Sequence, residues 1–114
     1  MLPAHHRLVD SDAFRDTVRS GQRSGSRTLV VHLRLNQSEE AARAGFVVSK
    51  AVGNAVVRNR VKRRLRHLTR EHLPSLQGLS GSAVLVVRAL PASATASYAE
   101  LGADLDRCLS RVMS

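Results

Sequence analysis

The feature that most constrains this fold is a basic, amphipathic segment in the middle of the chain. Residues 49–71 hold eight of the 18 lysines and arginines, and no acid interrupts them before Glu71. The apolar residues within the segment recur at steps of four, four and three, and they are Val57, Val61, Leu65 and Leu68. This spacing puts them on one face of an α-helix. At about 100° per residue, the opposite face carries Asn59, Arg63, Arg66 and Arg70.

A helix of this kind packs on a core along one side and presents positive charge along the other. Like charges three and four residues apart cost roughly 0.2–0.5 kcal/mol per pair in an isolated helix, so a polyanionic partner is favoured. The formal net charge of +9 lies entirely in the first 71 residues, because residues 72–114 carry equal numbers of acids and bases. This asymmetry predicts nucleic-acid binding. The alternative is a solvated helix face, but such faces usually mix both signs of charge.

The pattern of apolar residues predicts three strands, at 27–35, 44–50 and 83–87, the last of them buried on both faces. It predicts three helices, at 11–20, 55–72 and 98–112. Loops are predicted at 22–26, 36–43 and 75–82. The element order α-β-β-α-β-α indicates an α+β fold, a small α/β sandwich around a small sheet. A chain of 114 residues is expected to form a single domain over 1–114.

Capping residues give the expected helix boundaries. Ser11 is a suitable N-cap for the first helix, and Gly21 is expected to end it. Asn54 is expected to cap the basic helix, which should stop before Pro74. Ser97 and Glu100 have the spacing of a capping box at the start of the last helix.

Motifs for catalysis are absent from the sequence. There is no glycine-rich phosphate loop, the acids are too dispersed to hold catalytic metal ions, and the histidines show no zinc-ligand spacing with cysteine. The single cysteine, Cys108, cannot form an internal disulfide, which fits a reducing compartment. No signal peptide is recognisable, and no apolar run approaches the ~20 residues that span a bilayer. A cytoplasmic protein without a membrane segment is therefore expected.

One run of the sequence is more specific than its composition. Residues 46–63 read Phe-Val-Val-Ser-Lys-Ala-Val-Gly-Asn-Ala-Val-Val-Arg-Asn-Arg-Val-Lys-Arg. This run closely resembles the signature of the bacterial ribonuclease P protein subunit family, in which a strand ending in Ser-Lys leads through Gly-Asn-Ala to an Arg-Asn-Arg helix. The segment from Leu8 to Phe14 resembles the family's Leu-x5-Phe motif. Residues 88–91 and the following Ser97-Tyr98 resemble its last passage from strand to helix.

The resemblance implies the accessory subunit of a ribonucleoprotein endoribonuclease. Members of the family bind a large catalytic RNA, which holds the catalytic Mg²⁺ ions and removes the 5′ leader from precursor tRNA. The protein supplies no catalytic residue, and it raises affinity for the leader and lowers the ion requirement. A one-to-one assembly with the RNA is implied. The family fold implies a mixed sheet with a left-handed βαβ crossover around the basic helix, similar to domain 2 of a small-subunit ribosomal protein.

Matching positions carry the family's two sets of binding residues. The RNA-binding residues implied by the resemblance are Lys50, Asn54, Arg58, Asn59, Arg60, Lys62, Arg63 and Arg66. The basic face of the helix adds Arg70 to this set. The neighbouring Arg64 is expected to lie along the core instead. A cleft for the leader, between the first helix and the sheet, is implied at Phe14, Val18, His32 and Arg34. Phe14 is equally well explained as a core residue. The family often has aromatic residues at the positions of Val18 and His32, so stacking on the leader is expected to be weaker here.

Two other functions fit parts of the sequence. A protein that binds ribosomal RNA also uses a small α/β domain with a basic helix, and it would co-purify with ribosomal subunits. A DNA-binding helix-turn-helix protein fits poorly, because the basic helix follows a strand and not a second helix.

Overall fold

The computed structural model describes residues 2–37, 40–79 and 81–113, and within them the strands form one four-stranded sheet. The strands are β1 (Gln22–Gly25), β2 (Leu29–Asn36), β3 (Arg43–Val47) and β4 (Ser82–Ala89). The helices are α1 (Ser11–Ser20), α2 (Ala55–Arg70), α3 (Leu73–Gln77) and α4 (Tyr98–Val112), with short 3₁₀ turns at Ala4–His6 and Pro91–Ala94. The sheet order is β1-β2-β4-β3, in which only β3 and β4 are parallel. The predicted α+β class, the mixed sheet and the order of the six long elements are confirmed.

Helices cover both faces of the sheet, and each face has its own apolar layer. On one face α2 and α4 pack on the strands, and Leu65 and Leu105 are fully buried there. On the other face α1 places Phe14 against Val84 and Val86 of β4. Because β4 is buried on both sides, its apolar run is continuous, as predicted.

The basic helix is the crossover between the two parallel strands. A turn over residues 49–53, closed by hydrogen bonds from Val52 N to Ser49 O and from Gly53 N to Lys50 O, leads from β3 to α2. Asn54 then caps α2, because its side-chain oxygen accepts a hydrogen bond from Val57 N at 3.0 Å. The start of α2 is therefore held by local hydrogen bonds.

Two other helix boundaries test the predicted caps. Ser97 and Glu100 form the predicted capping box at α4, with reciprocal hydrogen bonds of 3.0 and 3.1 Å. The cap predicted for α1 was wrong, because the carboxylate of Asp10, and not Ser11, accepts the hydrogen bond from Asp12 N. Asp10 is therefore the N-cap, one residue before the predicted serine, and both residue types are preferred at this position. Gly21 follows the end of α1 as predicted.

Two predicted loops contain regular structure. Residues 22–26 were predicted as a loop, but 22–25 form β1, an edge strand with largely exposed side chains and hence no apolar alternation. The basic helix ends at Arg70, and α3 then occupies residues 73–77. This short helix overlaps the loop that was predicted at 75–82. Pro74 is compatible with α3 because it lies in the first turn, where its missing N–H is not needed.

The remaining differences are small. The strand predicted at 44–50 ends at Val47, two residues before the turn over 49–53 that leads to α2. Residues 38, 39 and 80, which belong to two predicted loops, lie outside the described residues.

The N-terminal segment is attached to the outer edge of β3. Leu8 N donates a hydrogen bond to Ala44 O at 2.9 Å, and His6 Nδ1 lies 2.5 Å from Ala42 O. Leu2 is fully buried in the larger apolar layer. This segment therefore covers part of a sheet edge and brings Arg7 close to α1.

Candidate nucleic-acid interface

The solvent-facing side of α2 carries a row of cations that we call the basic ridge. It consists of five cations and one neutral amide, and these are Arg58, Lys62, Arg63, Arg66, Arg70 and Asn59. Asn59, Arg63 and Arg70 are exposed, and the other three are half-buried. The ridge has a rigid base, since Val61 and Leu65 on the opposite side of the helix have no exposed surface.

The basic ridge lacks compensating acids. Among the described residues, none of its side chains forms an ion pair, whereas Arg15 of α1 pairs with Asp12 and Arg43 of β3 pairs with Glu40. Unpaired guanidinium groups on a rigid helix are available for bidentate contact with phosphate. The geometry therefore suits a polyanion that runs along α2.

Two arginines of α2 are turned toward the protein instead. Arg60 Nη2 donates a hydrogen bond to Ala94 O at 2.9 Å, and Arg64 Nη1 donates one to Ala96 O at 3.3 Å. Arg64 was expected to lie along the core. Arg60 was expected to bind RNA, but in the structure part of its guanidinium group is committed to the loop before α4.

The predicted residues that precede α2 differ in availability. Lys50 is exposed in the turn after β3, and its ammonium group has no ion pair in the described part of the chain. Asn54 is also exposed, but its side-chain oxygen is engaged by the helix cap. Only Lys50 therefore extends the positive surface beyond the start of α2.

A pocket of about 160 Å³ lies beside the basic ridge, between α1, α2 and β3. Phe14 of α1, Phe46 of β3 and Arg66 of the ridge contribute to its walls, together with Arg7 and Val9. Aromatic rings can stack on a nucleobase while guanidinium groups bind the adjoining phosphates. The structure thus joins Arg66, predicted to bind RNA, with Phe14, predicted to bind the leader. We call this space the aromatic pocket.

Close packing positions the Phe14 ring in the aromatic pocket. Gly45 of β3 lies directly beneath it, and a Cβ at this position would overlap the ring. Glycine is needed here for space, and any larger residue would displace Phe14. Phe14 also packs against the smaller apolar layer, so it serves both the core and the pocket.

The other residues predicted for the leader cleft are less accessible. His32 is only 2% exposed beneath α1, and Arg34 forms an ion pair with Asp16 at 3.4 Å. Burial, reinforced by Arg88 and Arg23, lowers the pKa of His32 below its ordinary value of 6.5, so the ring is neutral at pH 7. Val18 is 38% exposed and lies outside the aromatic pocket.

The sheet register reveals two cations that sequence analysis missed. Arg23 of β1 is opposite His32, and Arg88 of β4 is opposite Val30, so both arginines lie on the face that α1 packs against. Neither forms an ion pair with a described residue. Phe46 and Arg7 were likewise not predicted as site residues, because only the folded chain brings them to Phe14.

In the three described ranges, no group of three or more His, Cys, Asp and Glu side chains is arranged to hold a metal ion.

No helix in the described part of the chain combines the length and the apolar character that crossing a membrane requires.

The fold and this site define a small α+β protein that carries a rigid basic helix beside an aromatic pocket, a combination suited to single-stranded or folded nucleic acid. The family model of Ribonuclease P matches residues 2–113. A ribonuclease P protein component from Nocardioides sp. is 62% identical over 114 residues, covering 98% of this chain and 95% of that protein. The corresponding protein of Streptomyces avermitilis is 50% identical and covers 99% and 96%. The chain therefore belongs to the ribonuclease P protein family.

Solved structures show the same fold. The ribonuclease P protein of Staphylococcus aureus superimposes with a TM-score of 0.82 at 24% identity, covering 96% of this chain and 98% of that chain. The protein of Thermotoga maritima gives a TM-score of 0.72 at 22% identity and covers 94% of each chain.

Proposed function

We propose that this chain acts as the protein subunit of ribonuclease P and assists a catalytic RNA in removing the 5′ leader from precursor tRNA. The observation that carries the proposal is the basic ridge, whose cations have no ion-pair partner among the described residues. The opposite side of α2, which we call the apolar seam, is buried at Val61 and Leu65 and holds the ridge in place. Family membership supports it, because the relatives are named ribonuclease P protein component.

The two surfaces divide the binding between them. The basic ridge, extended by Lys50, contacts the phosphates of the catalytic RNA, and the aromatic pocket receives nucleotides of the leader. Arg66 lines the pocket and also belongs to the ridge, so in this proposal it contacts both RNAs. Arg23 and Arg88 lie on the sheet face that α1 packs against, and in this proposal they add positive charge for a long leader.

The chemistry belongs to the RNA partner in this proposal. The RNA holds the Mg²⁺ ions that activate water, and the chain contributes charge neutralisation and positioning, so no catalytic residue is assigned to it. We propose a one-to-one complex that works in the cytoplasm.

Reconstitution at low Mg²⁺ tests this function. The purified chain alone is expected to leave precursor tRNA intact, and to accelerate its cleavage when added to the matching catalytic RNA. The acceleration should be largest at low Mg²⁺, because the cations of the ridge replace part of the metal ions that screen the phosphates. The measurement is the cleavage rate with and without protein over a series of Mg²⁺ concentrations. Equal rates throughout, or cleavage by the protein alone, would contradict the proposal.

A second prediction concerns the aromatic pocket. Phe14→Ala is expected to weaken binding of a precursor with a long leader by about 1–3 kcal/mol, since one stacking platform is lost. Mature tRNA, which has no leader, should bind the reconstituted enzyme unchanged. Fluorescence titration of both ligands measures the difference.

The control for Phe14 separates stacking from packing. Val18→Ala removes an exposed apolar side chain from the same helix, outside the pocket, and is expected to leave leader binding unchanged. If Phe14→Ala lowers the melting temperature but not the leader affinity, Phe14 is a core residue only, and the assignment of the pocket is wrong.

A further inference from the structure

His32 is a buried titratable residue that neither proposed binding surface uses. It lies on β2 beneath α1, and neither ring nitrogen has a hydrogen-bond partner among residues 2–37, 40–79 and 81–113. The hydroxyl of Thr17 on α1 is also fully buried and lacks a partner in these ranges. Buried polar atoms without partners favour any motion that returns them to water. The contact between α1 and the sheet therefore carries an energetic cost at this point.

Two arginines on the neighbouring strands disfavour protonation of the His32 ring. Arg23 of β1 is its direct cross-strand neighbour, and Arg88 of β4 lies one diagonal step away, opposite Val30. Like charges on neighbouring strand positions repel each other. The residue directly opposite His32 on β4 is Val86, which is apolar.

On the side of α1 that covers His32, no unpaired carboxylate is available to balance a positive charge on the ring. The side of α1 that faces the sheet carries Ala13, Phe14 and Thr17, none of which is ionised. Asp16 is paired with Arg34 of β2 at 3.4 Å. The remaining charged residues of α1 are exposed to solvent and are Asp12, Arg15 and Arg19.

We propose that His32 is a pH-responsive latch that keeps α1 closed on the sheet while the ring is neutral and releases α1 when the ring is protonated. An imidazolium group in the closed form would be desolvated and would face the guanidinium groups of Arg23, which is exposed, and Arg88, which is half-buried. Both the desolvation and the like-charge repulsion cost free energy. Movement of α1 away from the sheet hydrates the ring and removes that cost. Because α1 also carries Phe14, the latch would change the shape of the aromatic pocket, but it is a property of the free protein and does not rest on the proposed function.

The direction of the effect follows from the lowered pKa of His32, which is caused first by burial and then by Arg88 and Arg23. The closed form binds the proton less readily than the open form. Its stability is therefore complete above the ordinary pKa of 6.5 and is lost as the pH falls toward the lowered value. Between the lowered pKa of the closed form and the ordinary pKa of the open form, the equilibrium constant for opening rises by up to about tenfold for each unit that the pH falls.

Hydrogen exchange of the full-length free protein at pH 7.5 and pH 5.5, corrected for intrinsic exchange rates, tests the latch. Amides of α1 are expected to lose protection by up to about tenfold at the lower pH, while those of α4 keep theirs. His32→Phe is expected to abolish the difference. An α1 that is equally protected at both pH values, or a loss shared equally by α4, would overturn the proposal.

Two controls keep the test decisive. His32→Gln also removes the titrating ring and replaces His32→Phe if the larger side chain prevents folding. His67→Gln removes an exposed histidine from α2 and is expected to leave the response of α1 intact. NMR titration of the His32 ring protons should give a midpoint below 6.5, and a midpoint at or above 6.5 would contradict the latch.

Discussion

Replacing Arg63 and Arg66 together with alanine is expected to weaken binding of the catalytic RNA by roughly tenfold to a hundredfold at low salt. Each lost phosphate contact should also lower the slope of log K against log salt by about 0.7–0.9, because fewer counterions are released on binding. Arg63 is exposed and Arg66 lines the aromatic pocket, and neither pairs with an acid in the described residues. Filter binding over a series of salt concentrations measures both quantities.

The same substitutions should not destabilise the protein. They remove like charges from one helix and introduce alanine, the best helix former, so the free energy of unfolding is expected to stay constant or rise slightly. A matched double variant, Arg19→Ala/Arg111→Ala, removes two exposed arginines that lie off the basic ridge. It should reduce RNA affinity much less. Equal losses in both double variants would mean that binding depends on net charge alone and not on the ridge.

Leu65→Ala is expected to destabilise the protein by about 2–5 kcal/mol, a large share of the 5–15 kcal/mol typical of a small domain. Leu65 has no exposed surface and lies in the apolar layer between α2, α4 and the sheet. The loss combines the transfer free energy of the removed methyl groups with the cost of the cavity they leave. Urea denaturation should show a lower midpoint with an unchanged m-value.

The control for Leu65 comes from the same helix. Val56 is 77% exposed in the first turn of α2, so Val56→Ala should change stability by no more than about 0.5 kcal/mol. A destabilisation of Val56→Ala comparable with that of Leu65→Ala would show that the apolar seam is not what holds α2. Loss of RNA affinity by Leu65→Ala at a temperature where it remains folded would show that the seam also positions the ridge.

Local patterns in the sequence accounted for α2 and for the N-caps of α2 and α4. The i, i+4 and i+8 spacing of Val57, Val61 and Leu65 depends only on the helix period. The caps at Asn54 and Ser97 use side chains that reach backbone groups within three residues. Such contacts do not depend on the rest of the fold, and for this reason they could be predicted.

Elements without a local pattern were missed. β1 is polar and held in place by β2, and α3 contains a proline that a short helix accepts in its first turn. The strand period places His32 and Arg34 of β2 on one face. It could not show that α1 covers that face, because the packing of a helix on a sheet depends on residues far away in the chain.

By itself, the sequence determined the basic helix, its apolar seam, the excess of positive charge and the family signature, since each is written in neighbouring residues. Tertiary structure decided which cations are available. It turned Arg60 toward Ala94, paired Arg34 with Asp16 and left the ridge open. It also joined Phe14 and Arg66 in one pocket. The physical reason is that the burial and pairing of a side chain depend on strand register and helix packing, which bring together residues that are distant in sequence.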